Sequence, residues 1–422
     1  MLRKYWLTVY TLYSLFSAAL VVAESAEMRV KHSSAATVVL ATNIASAFTS
    51  DNPRGDYTQD LSPHLSCIFK DLRRDYSVQI MPWRRAYQDV KNNRIDGFFT
   101  AIPMRQVDPY AVLSAPLVLE NWYWFWRSKT TAPETWREGY KLGSILGSQQ
   151  ETWLSEAGYN IEMSANNLPQ LIKLLKSKRI DVILADREHF YQALQEVQFP
   201  PEAFQSRFFR YVPLGVYFNE AFLNKNPGFL SRFNKKIEQC TSQPFSLSAY
   251  EQQVLEELLI RKIERWKHLP GLEEALKKHN LKARLWTQQE IAIMDKKWIK
   301  AFKADDFSYS LKMVDQELSA QLREIKKEGQ GQITEIIVAD ARGLNVAISD
   351  ITSDFWQGDE AKFTRAFGQP SNRLFFSDIR YDESTKHFQV DISVPLVNEE
   401  QQAPIGVLIF GVDIEKVLSQ IQ

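Results

Sequence analysis

The feature that most limits the fold is a phrase that occurs twice. Residues 91–96 read Lys-Asn-Asn-Arg-Ile-Asp, residues 176–181 read Lys-Ser-Lys-Arg-Ile-Asp, and each copy runs into a short apolar stretch. In both places a helical pattern ends in basic residues, which suit the partial negative charge at a helix C-terminus. The apolar stretch suits a strand buried on both faces of a parallel sheet. Two such units predict two similar α/β lobes, and proteins of that kind usually bind a small molecule between the lobes.

Composition narrows the classes of protein to consider. The 422 residues are enough for two or three domains with a sizeable core. Lysine and arginine together number 51, as do the acidic residues, so the net charge is zero and no basic tract favours a nucleic-acid partner. A hydrophobic content of 45% is that of a folded globular chain rather than a disordered one.

The N-terminal segment, residues 1–26, is predicted to be a signal peptide. Arg3 and Lys4 give a positive start, residues 7–22 are largely apolar, and Ala23 is one of several small residues near a cleavage point. An uncleaved membrane anchor is the alternative, although the apolar run is short for a span. We therefore expect an exported protein.

Two cysteines, Cys67 and Cys240, are the only ones in the chain. An oxidising compartment permits a disulfide between them. Two unpaired buried thiols are the other interpretation, and the residues alone leave both open.

The pattern of the chain changes after Pro244. Residues 248–328 are rich in Glu, Lys, Leu and Gln and predict long helices, whereas from Ile333 the apolar period becomes that of strands. Helices followed by a run of antiparallel strands predict a separate α+β domain. We therefore expect a signal peptide, a two-lobed α/β domain, a helical connector and an α+β domain. Their expected boundaries are 1–26, 34–245, 246–285 and 286–422.

Five residues of the two-lobed region have side chains suited to a small ligand. Trp83 and Arg84 stand between a strand and a helix, at the edge where open α/β sheets bind ligands, although a core Trp and a surface Arg are the alternative. Arg105 follows the first phrase and Asp186 ends the second apolar stretch, so a cation and a carboxylate from different lobes would suit a zwitterion. Gly147 and Ser148 at a helix start add free backbone N–H groups and a hydroxyl, which favour an anionic group.

Catalytic and metal-binding patterns are missing from the sequence. The six histidines do not form H-E-x-x-H or another metal spacing. No G-x-S-x-G, P-loop or G-x-G-x-x-G motif occurs. The sequence therefore predicts a binding protein rather than an enzyme, with no metal and no cofactor.

Residues 37–245 resemble the family 3 periplasmic solute-binding proteins, which have the type II binding-protein fold. The phrases that carry the resemblance are 82–86 (Pro-Trp-Arg-Arg-Ala), 94–97 (Arg-Ile-Asp-Gly), 114–116 (Ser-Ala-Pro), 147–148 (Gly-Ser) and 179–181 (Arg-Ile-Asp). The family closes two lobes around a small solute, and two crossing strands join the lobes. The resemblance implies that residues 121–127 and 211–218 form those strands.

The same resemblance assigns roles to individual residues. It implies that Arg105 takes a ligand carboxylate, that Ser148 assists it, and that Asp186 takes the ligand amine. The family's last helix returns to lobe one, which implies a disulfide between Cys67 and Cys240.

Residues from about 286 to 422 look like a Cache (PDC) sensor domain, which has a long N-terminal helix and a curved antiparallel sheet. The matching stretches are 337–347, 352–360, 392–396 and 405–407. Such domains sense small solutes outside the cell. The resemblance implies Trp356, Asp359 and Asp391 as pocket residues, with core and helix-capping roles as the alternative.

Together the two resemblances imply an exported protein, in the periplasm of a Gram-negative bacterium, that captures a small solute, such as an amino acid or small carboxylate, by lobe closure. We expect it to present the solute to a membrane receptor with a kinase or cyclase output, and the substrate-binding component of an ABC importer with its permease is the alternative. A cell-wall lytic enzyme is a third hypothesis, because some family 3 domains are fused to one. A non-binding scaffold is a fourth, because residues 42–48 depart from the family's aromatic-Pro-Pro-aromatic stretch.

Overall fold

The structure is a computed structural model, and it describes residues 36–42, 61–240, 245–370, 373–382, 387–398, 400 and 403–420. The predicted signal peptide and most of the stretch that departs from the family pattern lie outside the described residues.

Two α/β lobes make up the first half of the described chain. The elements of lobe one are β1 (Val38–Thr42), α1 (Leu61–Asp71), β2 (Tyr76–Ile80), α2 (Trp83–Lys91), β3 (Gly97–Ala101), β4 (Ala111–Leu113), α6 (Glu220–Lys225) and α7 (Phe229–Cys240). The elements of lobe two are β6 (Leu142–Ile145), α3 (Gln149–Glu156), β7 (Ile161–Ala165), α4 (Leu168–Lys176), β8 (Val182–Asp186), α5 (Arg187–Val197) and a 3-10 turn at Pro201–Ala203. In lobe one β1 pairs in parallel with β2 and β3, and in lobe two β6 pairs in parallel with β7 and β8, as buried apolar runs between helices predict. The short β4 pairs antiparallel with β9 (Phe204–Asn219).

Two long antiparallel strands cross between the lobes. They are β5 (Val118–Arg127) and β9 (Phe204–Asn219), both longer than the stretches predicted to cross. They pair along the length of β5, from Val118 opposite Leu214 to Arg127 opposite Phe204. The strand order β2-β1-β3-β9-β5-β8-β6-β7 makes β5 and β9 the connection between the two halves of one sheet.

The repeated phrase occupies the same place in each lobe. One copy follows α2 and leads into β3, and the other follows α4 and leads into β8. The third residue of each copy, Asn93 or Lys178, has a positive φ of 57° or 63°. That left-handed residue ends the helix and turns the chain back toward the sheet.

The aspartate of each copy holds the first strand of its lobe. The carboxylate of Asp96 accepts a hydrogen bond from the backbone N–H of Val39 at 2.8 Å. The carboxylate of Asp181 accepts one from the backbone N–H of Lys141 at 3.0 Å. Both aspartates also donate their own backbone N–H to the carbonyl oxygen of the same partner. The phrase therefore recurs because it sets the register of one strand in each lobe.

A disulfide joins Cys67 in α1 to Cys240 in α7, with the two Cα atoms 5.6 Å apart. It fastens the last helix of the two-lobed region to lobe one, across 173 residues of sequence.

A second module follows, made of helices and then an antiparallel sheet. Its helices are α8 (Ala249–Trp266), α9 (Leu272–Ala283), α10 (Gln288–Lys303), α11 (Ser308–Met313), α12 (Gln316–Glu328), α13 (Ala361–Thr364) and α14 (Ile414–Leu418). Its strands are β10 (Ile333–Asp340), β11 (Asn345–Ile348), β12 (Phe375–Phe376), β13 (Arg380–Asp382), β14 (His387–Val397) and β15 (Pro404–Asp413). The sheet order is β11-β10-β15-β14-β12, with β13 beside β14. The stretch expected to supply one long Cache-type helix forms several shorter ones, and the Cache assignment stays a prediction.

Lobe two and the second module share a hydrophobic core. Apolar residues of one face of lobe two, of α8 and of β14 and β15 form one continuous cluster, to which lobe one contributes no described residue. Leu255 and Ile263 of α8 are fully buried in it, and Trp266 packs edge-on against Phe410. The other face of lobe two packs in a cluster that runs into lobe one. The predicted connector is therefore part of a core, and among the described helices none is long and apolar enough to cross a bilayer.

Candidate functional site: an acidic cluster at the crossing strands

Two acids and a histidine meet where the crossing strands leave lobe two. Glu120 lies on β5, and its carboxylate accepts a hydrogen bond from Trp122 Nε1 at 2.8 Å. Asp186 ends β8, and its Oδ1 accepts the backbone N–H of His189 at 3.0 Å and lies 3.4 Å from His189 Nδ1. Asp186 Oδ2 also accepts the backbone N–H of Asn121 at 3.2 Å, which ties β8 to the neighbouring strand β5.

The three side chains influence one another's protonation. Burial and the nearby charge of Asp186 raise the pKa of Glu120 to about 7, although His189 opposes the change. Burial lowers the pKa of His189, but Asp186 and Glu120 raise it more, so the net change is upward. A site with two close carboxylates favours a bound positive charge or an added proton.

A hydrogen bond between described residues joins the two lobes at the start of α3, where Gln150 also donates to Glu120 Oε2 at 3.4 Å. Gln149, the first residue of α3 in lobe two, donates from Nε2 to the carbonyl oxygen of Thr100 in lobe one at 3.2 Å. Thr100 has a φ of 61°, which is unfavourable for a β-branched residue and typical of ligand clamps and switch points. The amide oxygen of Gln149 is buried and has no hydrogen-bond partner among the described residues.

Of the residues predicted to bind a ligand in lobe one, the tryptophan is buried and the two arginines are exposed. Trp83 is only 3% exposed, stacks with Tyr87 and packs edge-on against Phe98 in the core of lobe one, the alternative role considered for it. Arg84 and Arg105 are exposed, and among the described residues neither has an ion-pair partner. Their predicted contact with a ligand carboxylate stays a prediction.

The predicted lobe-two residues Ser148 and Asp186 both cap helices. The hydroxyl of Ser148 accepts the backbone N–H of Glu151 at the start of α3, at 3.0 Å. The N–H of Gly147, expected to be free for an anion, donates instead to the carboxylate of Glu151 at 2.6 Å. The carboxylate of Glu151 therefore occupies the N-terminal, partly positive end of α3, where an anionic ligand group was expected. Asp186 caps α5 and still belongs to the acidic cluster.

The sequence patterns did not predict Glu120, His189 or Gln149 as site residues. His189 had an available signal, because it lies three residues after Asp186 at the start of a helix. Glu120 and Gln149 had none, since their partners are set by the packing of separate strands and lobes.

The second module has a pocket of about 360 Å³. It is lined by Ser246, Leu247, Gln252, Glu360, Ala361, Lys362, Arg365, Phe375, Phe376, Ser377, Asp378, Arg380 and Asp391. Asp391 is 1% exposed and forms an ion pair with Arg380, and Lys362 forms one with Glu360 at 3.2 Å. Both signs of charge therefore line this cavity.

The three predicted residues of this module are not all at the pocket. Asp391 lines it, whereas Trp356 and Asp359 are not among its lining residues. Trp356 donates from Nε1 to the carbonyl oxygen of Arg342 at 2.9 Å, and Asp359 is exposed. Among the described residues, no group of three or more His, Cys, Asp or Glu side chains is placed to hold a metal ion.

Comparisons with known proteins find likenesses of fold over about half of the chain. An ancestral arginine-binding protein bound to glutamine is 16% identical over 48% of this chain and 90% of its own, with a TM-score of 0.39. A histidine kinase sensor domain with similarity to periplasmic binding proteins is 13% identical over 56% of this chain and 96% of its own, with a TM-score of 0.38. The GluR0 ligand-binding core from Nostoc punctiforme, in complex with L-glutamate, is 13% identical over 48% and 92% of the two chains, with a TM-score of 0.39. No protein-family model matches the sequence, and no curated protein does either.

Proposed function

We propose that this chain is an exported binding protein, not an enzyme, that captures a small solute with a positively charged group between its two lobes. The observation that carries the proposal is the meeting of Glu120, Asp186 and His189 at the crossing strands, beside the contact between Gln149 and Thr100. The carboxylates and the unpartnered amide oxygen of Gln149 are hydrogen-bond acceptors, which an ammonium group would satisfy.

An amino acid is the solute class that this arrangement favours. The acidic cluster suits the amine, and the exposed Arg84 and Arg105 of lobe one offer cations for a carboxylate. A solute that touches both lobes only when they are closed stabilises the closed state, so binding shifts the population toward closure.

The proposed role is sensory, in the periplasm, with a membrane receptor of the kinase or cyclase type as partner. The core that lobe two shares with the second module supports this role, because a change in lobe two would reach a module with its own surface. Import through an ABC permease is the alternative, and a receptor that co-purifies with the protein would favour sensing over import.

The test is a binding titration of residues 27–422 with the common amino acids, by calorimetry and thermal shift. At about 100 times its dissociation constant, a true ligand adds about 2.7 kcal/mol of stability. Glu120→Gln and Asp186→Asn should each weaken binding of a cationic solute at least about tenfold, as for a lost charged hydrogen bond.

The matched control is Asp315→Asn. Asp315 caps α12 in the second module by accepting the N–H of Leu318 at 3.0 Å, and asparagine caps helices about as well as aspartate. The control should keep wild-type affinity. Equal affinity in Asp186→Asn, Glu120→Gln and the control, for every solute that binds, would overturn the assigned site.

The pocket of the second module is a second candidate site. Its lining of Asp391, Glu360, Lys362 and Arg380, which carries both signs of charge, suits a small zwitterion, and its volume exceeds that of one amino acid. Two binding events per chain in the same titrations, one of them lost in Lys362→Met, would support a sensor with two sites. A single event that Lys362→Met leaves unchanged would count against the pocket.

A further inference from the structure

A buried carboxylate of the second module is bonded to both crossing strands. Glu251 is 1% exposed and stands in the first turn of α8. Its Oε1 accepts Asn121 Nδ2 of β5 at 3.0 Å and the hydroxyl of Tyr211 of β9 at 2.9 Å. Asn121 and Tyr211 lie opposite each other in the pairing of the two strands. A single side chain therefore bonds both strands at one rung of the ladder that joins the lobes.

The same carboxylate is fixed to its own helix. Its Oε2 accepts the backbone N–H and the hydroxyl of Ser248, both at 2.9 Å, in a capping box. All four contacts are hydrogen bonds to a buried charge, and the loss of any one leaves that charge less satisfied. Glu251 therefore holds the start of α8 and the crossing strands in one fixed arrangement.

The start of α8 also forms a wall of the pocket in the second module. Ser246, Leu247 and Gln252 line the pocket, and they flank the two residues that cap the helix. The carbonyl oxygen of Phe245 accepts the N–H of Ile379, between the strands that carry the opposite wall, at 2.7 Å. Only a few residues of chain therefore separate this wall of the pocket from Glu251.

Further contacts join the module to the strands around this point. The backbone N–H of Tyr211 donates to Glu415 of α14 at 2.7 Å, and its ring packs against Phe388 at 5.7 Å. The guanidinium of Arg187, next to Asp186 of the acidic cluster, lies 3.5 Å from the ring centre of Tyr250 in α8. Asn121 itself bonds Asp186 through its backbone N–H, so the acidic cluster and Glu251 share one intermediate residue.

We propose that Glu251 couples the lobe hinge to the second module, as a positioning residue for the acidic cluster. This inference rests on the proposed solute binding by lobe closure. Because Glu251 bonds the strands in the conformation where Gln149 touches Thr100, it stabilises the closed lobes. Linkage is reciprocal, so closure of the lobes must also stabilise the module's pocket wall, and the wall must stabilise closure.

The test compares two tyrosine variants of the full chain. Tyr211→Phe removes the hydroxyl that bonds Glu251 and leaves the ring in place. Tyr123→Phe is the matched control, because the Tyr123 hydroxyl is buried on the adjacent strand and has no hydrogen-bond partner among the described residues. Spin labels on cysteines introduced at the exposed Gln88 of α2 and Lys173 of α4 report the distance between the lobes.

We expect Tyr211→Phe to move the distance distribution toward longer separations and to weaken solute binding by about two- to tenfold, the effect of one net hydrogen bond. It should also increase amide hydrogen exchange in residues 245–252 and 373–382, which a purely local packing role would not require. Glu251→Gln, which keeps the shape and loses the charge, should change both readouts in the same direction. Distances and exchange that match those of Tyr123→Phe in both variants would overturn the proposal.

The distance and exchange measurements need no ligand, so they separate this proposal from the proposed function. If no amino acid binds but Tyr211→Phe opens the lobes and loosens the pocket wall, the coupling stands and the solute assignment falls. If solutes bind with equal affinity to wild type, Tyr211→Phe and Tyr123→Phe, the coupling falls and the solute assignment stands.

Discussion

The two lobes contain the same local unit but differ in what surrounds it. In each, a helix ends in the repeated phrase, and an aspartate bonds the first strand, Asp96 to Val39 and Asp181 to Lys141. Lobe one carries the disulfide, and none of its described residues belongs to the core of the second module, whereas lobe two shares that core. A repeated phrase therefore specifies a supersecondary unit, while its packing partners decide to which part of the chain that unit is joined.

Removal of the disulfide should produce the largest difference in stability between the two lobes. With Cys67 and Cys240 both changed to Ala, the unfolded chain regains the freedom of a 173-residue loop, and the chain-entropy model gives a loss of about 5 kcal/mol. Calorimetry should show the transition of lobe one moving to lower temperature, with the lobe-two and module transition nearly unchanged. An equal shift of both transitions would mean that the lobes unfold as one unit.

Truncation of buried leucines tests the same difference in packing between the two lobes. Leu65 in α1 and Leu255 in α8 are both fully buried, so each change to Ala should cost about 2–5 kcal/mol. Leu65→Ala should destabilise lobe one alone, whereas Leu255→Ala should destabilise lobe two and the second module together. Hydrogen exchange resolved by segment measures both, and a Leu255→Ala effect confined to the module would contradict a shared core.

The paired aspartates test whether the two copies of the phrase are equivalent. Asp96→Ala and Asp181→Ala each remove a hydrogen bond to a strand, at a cost of about 1–3 kcal/mol. Asp181 also forms an ion pair with Arg127 at 3.2 Å, so its loss should cost up to about 1 kcal/mol more. Chemical denaturation of the two variants measures the difference, and a larger loss for Asp96→Ala would reverse the expected order.

The smallest expected effect is a pH dependence in lobe two. The pKa of Glu120 is raised to about 7, so between its ordinary value and about 7 the folded chain holds more protons than the unfolded one. Its contribution to stability is therefore present at low pH and is lost as the pH rises through about 7. The raised pKa of His189 acts with the same sign.

Glu120→Gln should therefore flatten the decline of the free energy of unfolding between pH 5 and 8. Denaturation at several pH values measures the slope, with Glu134→Gln in a surface loop as the control. The same slope in wild type and Glu120→Gln would show that Glu120 does not titrate in this range.

Much of the fold follows from local patterns. The repeated phrase, the apolar runs and the helix start at Ser148 lie where the sequence predicts them, because capping and strand patterns act over a few residues. The same local chemistry explains why Ser148 and Asp186 cap helices, whatever else they bind. Trp83 shows what local patterns do not decide, because an aromatic residue at a helix start is equally consistent with a core role and with a ligand-binding role.

Local patterns in the sequence specify two α/β units, each containing the same phrase, and a later module with a different period. They do so because helix ends and strand runs depend on neighbours close in the chain. The bonds that Asp96 and Asp181 make to the first strands span 57 and 40 positions, so local patterns do not determine them. Only the tertiary structure decided that Gln149 reaches Thr100, that Glu120 stands beside Asp186, and that Glu251 bonds Asn121 and Tyr211. These contacts join residues 40 to 130 positions apart, and a linear pattern carries no information on which buried polar groups will satisfy one another.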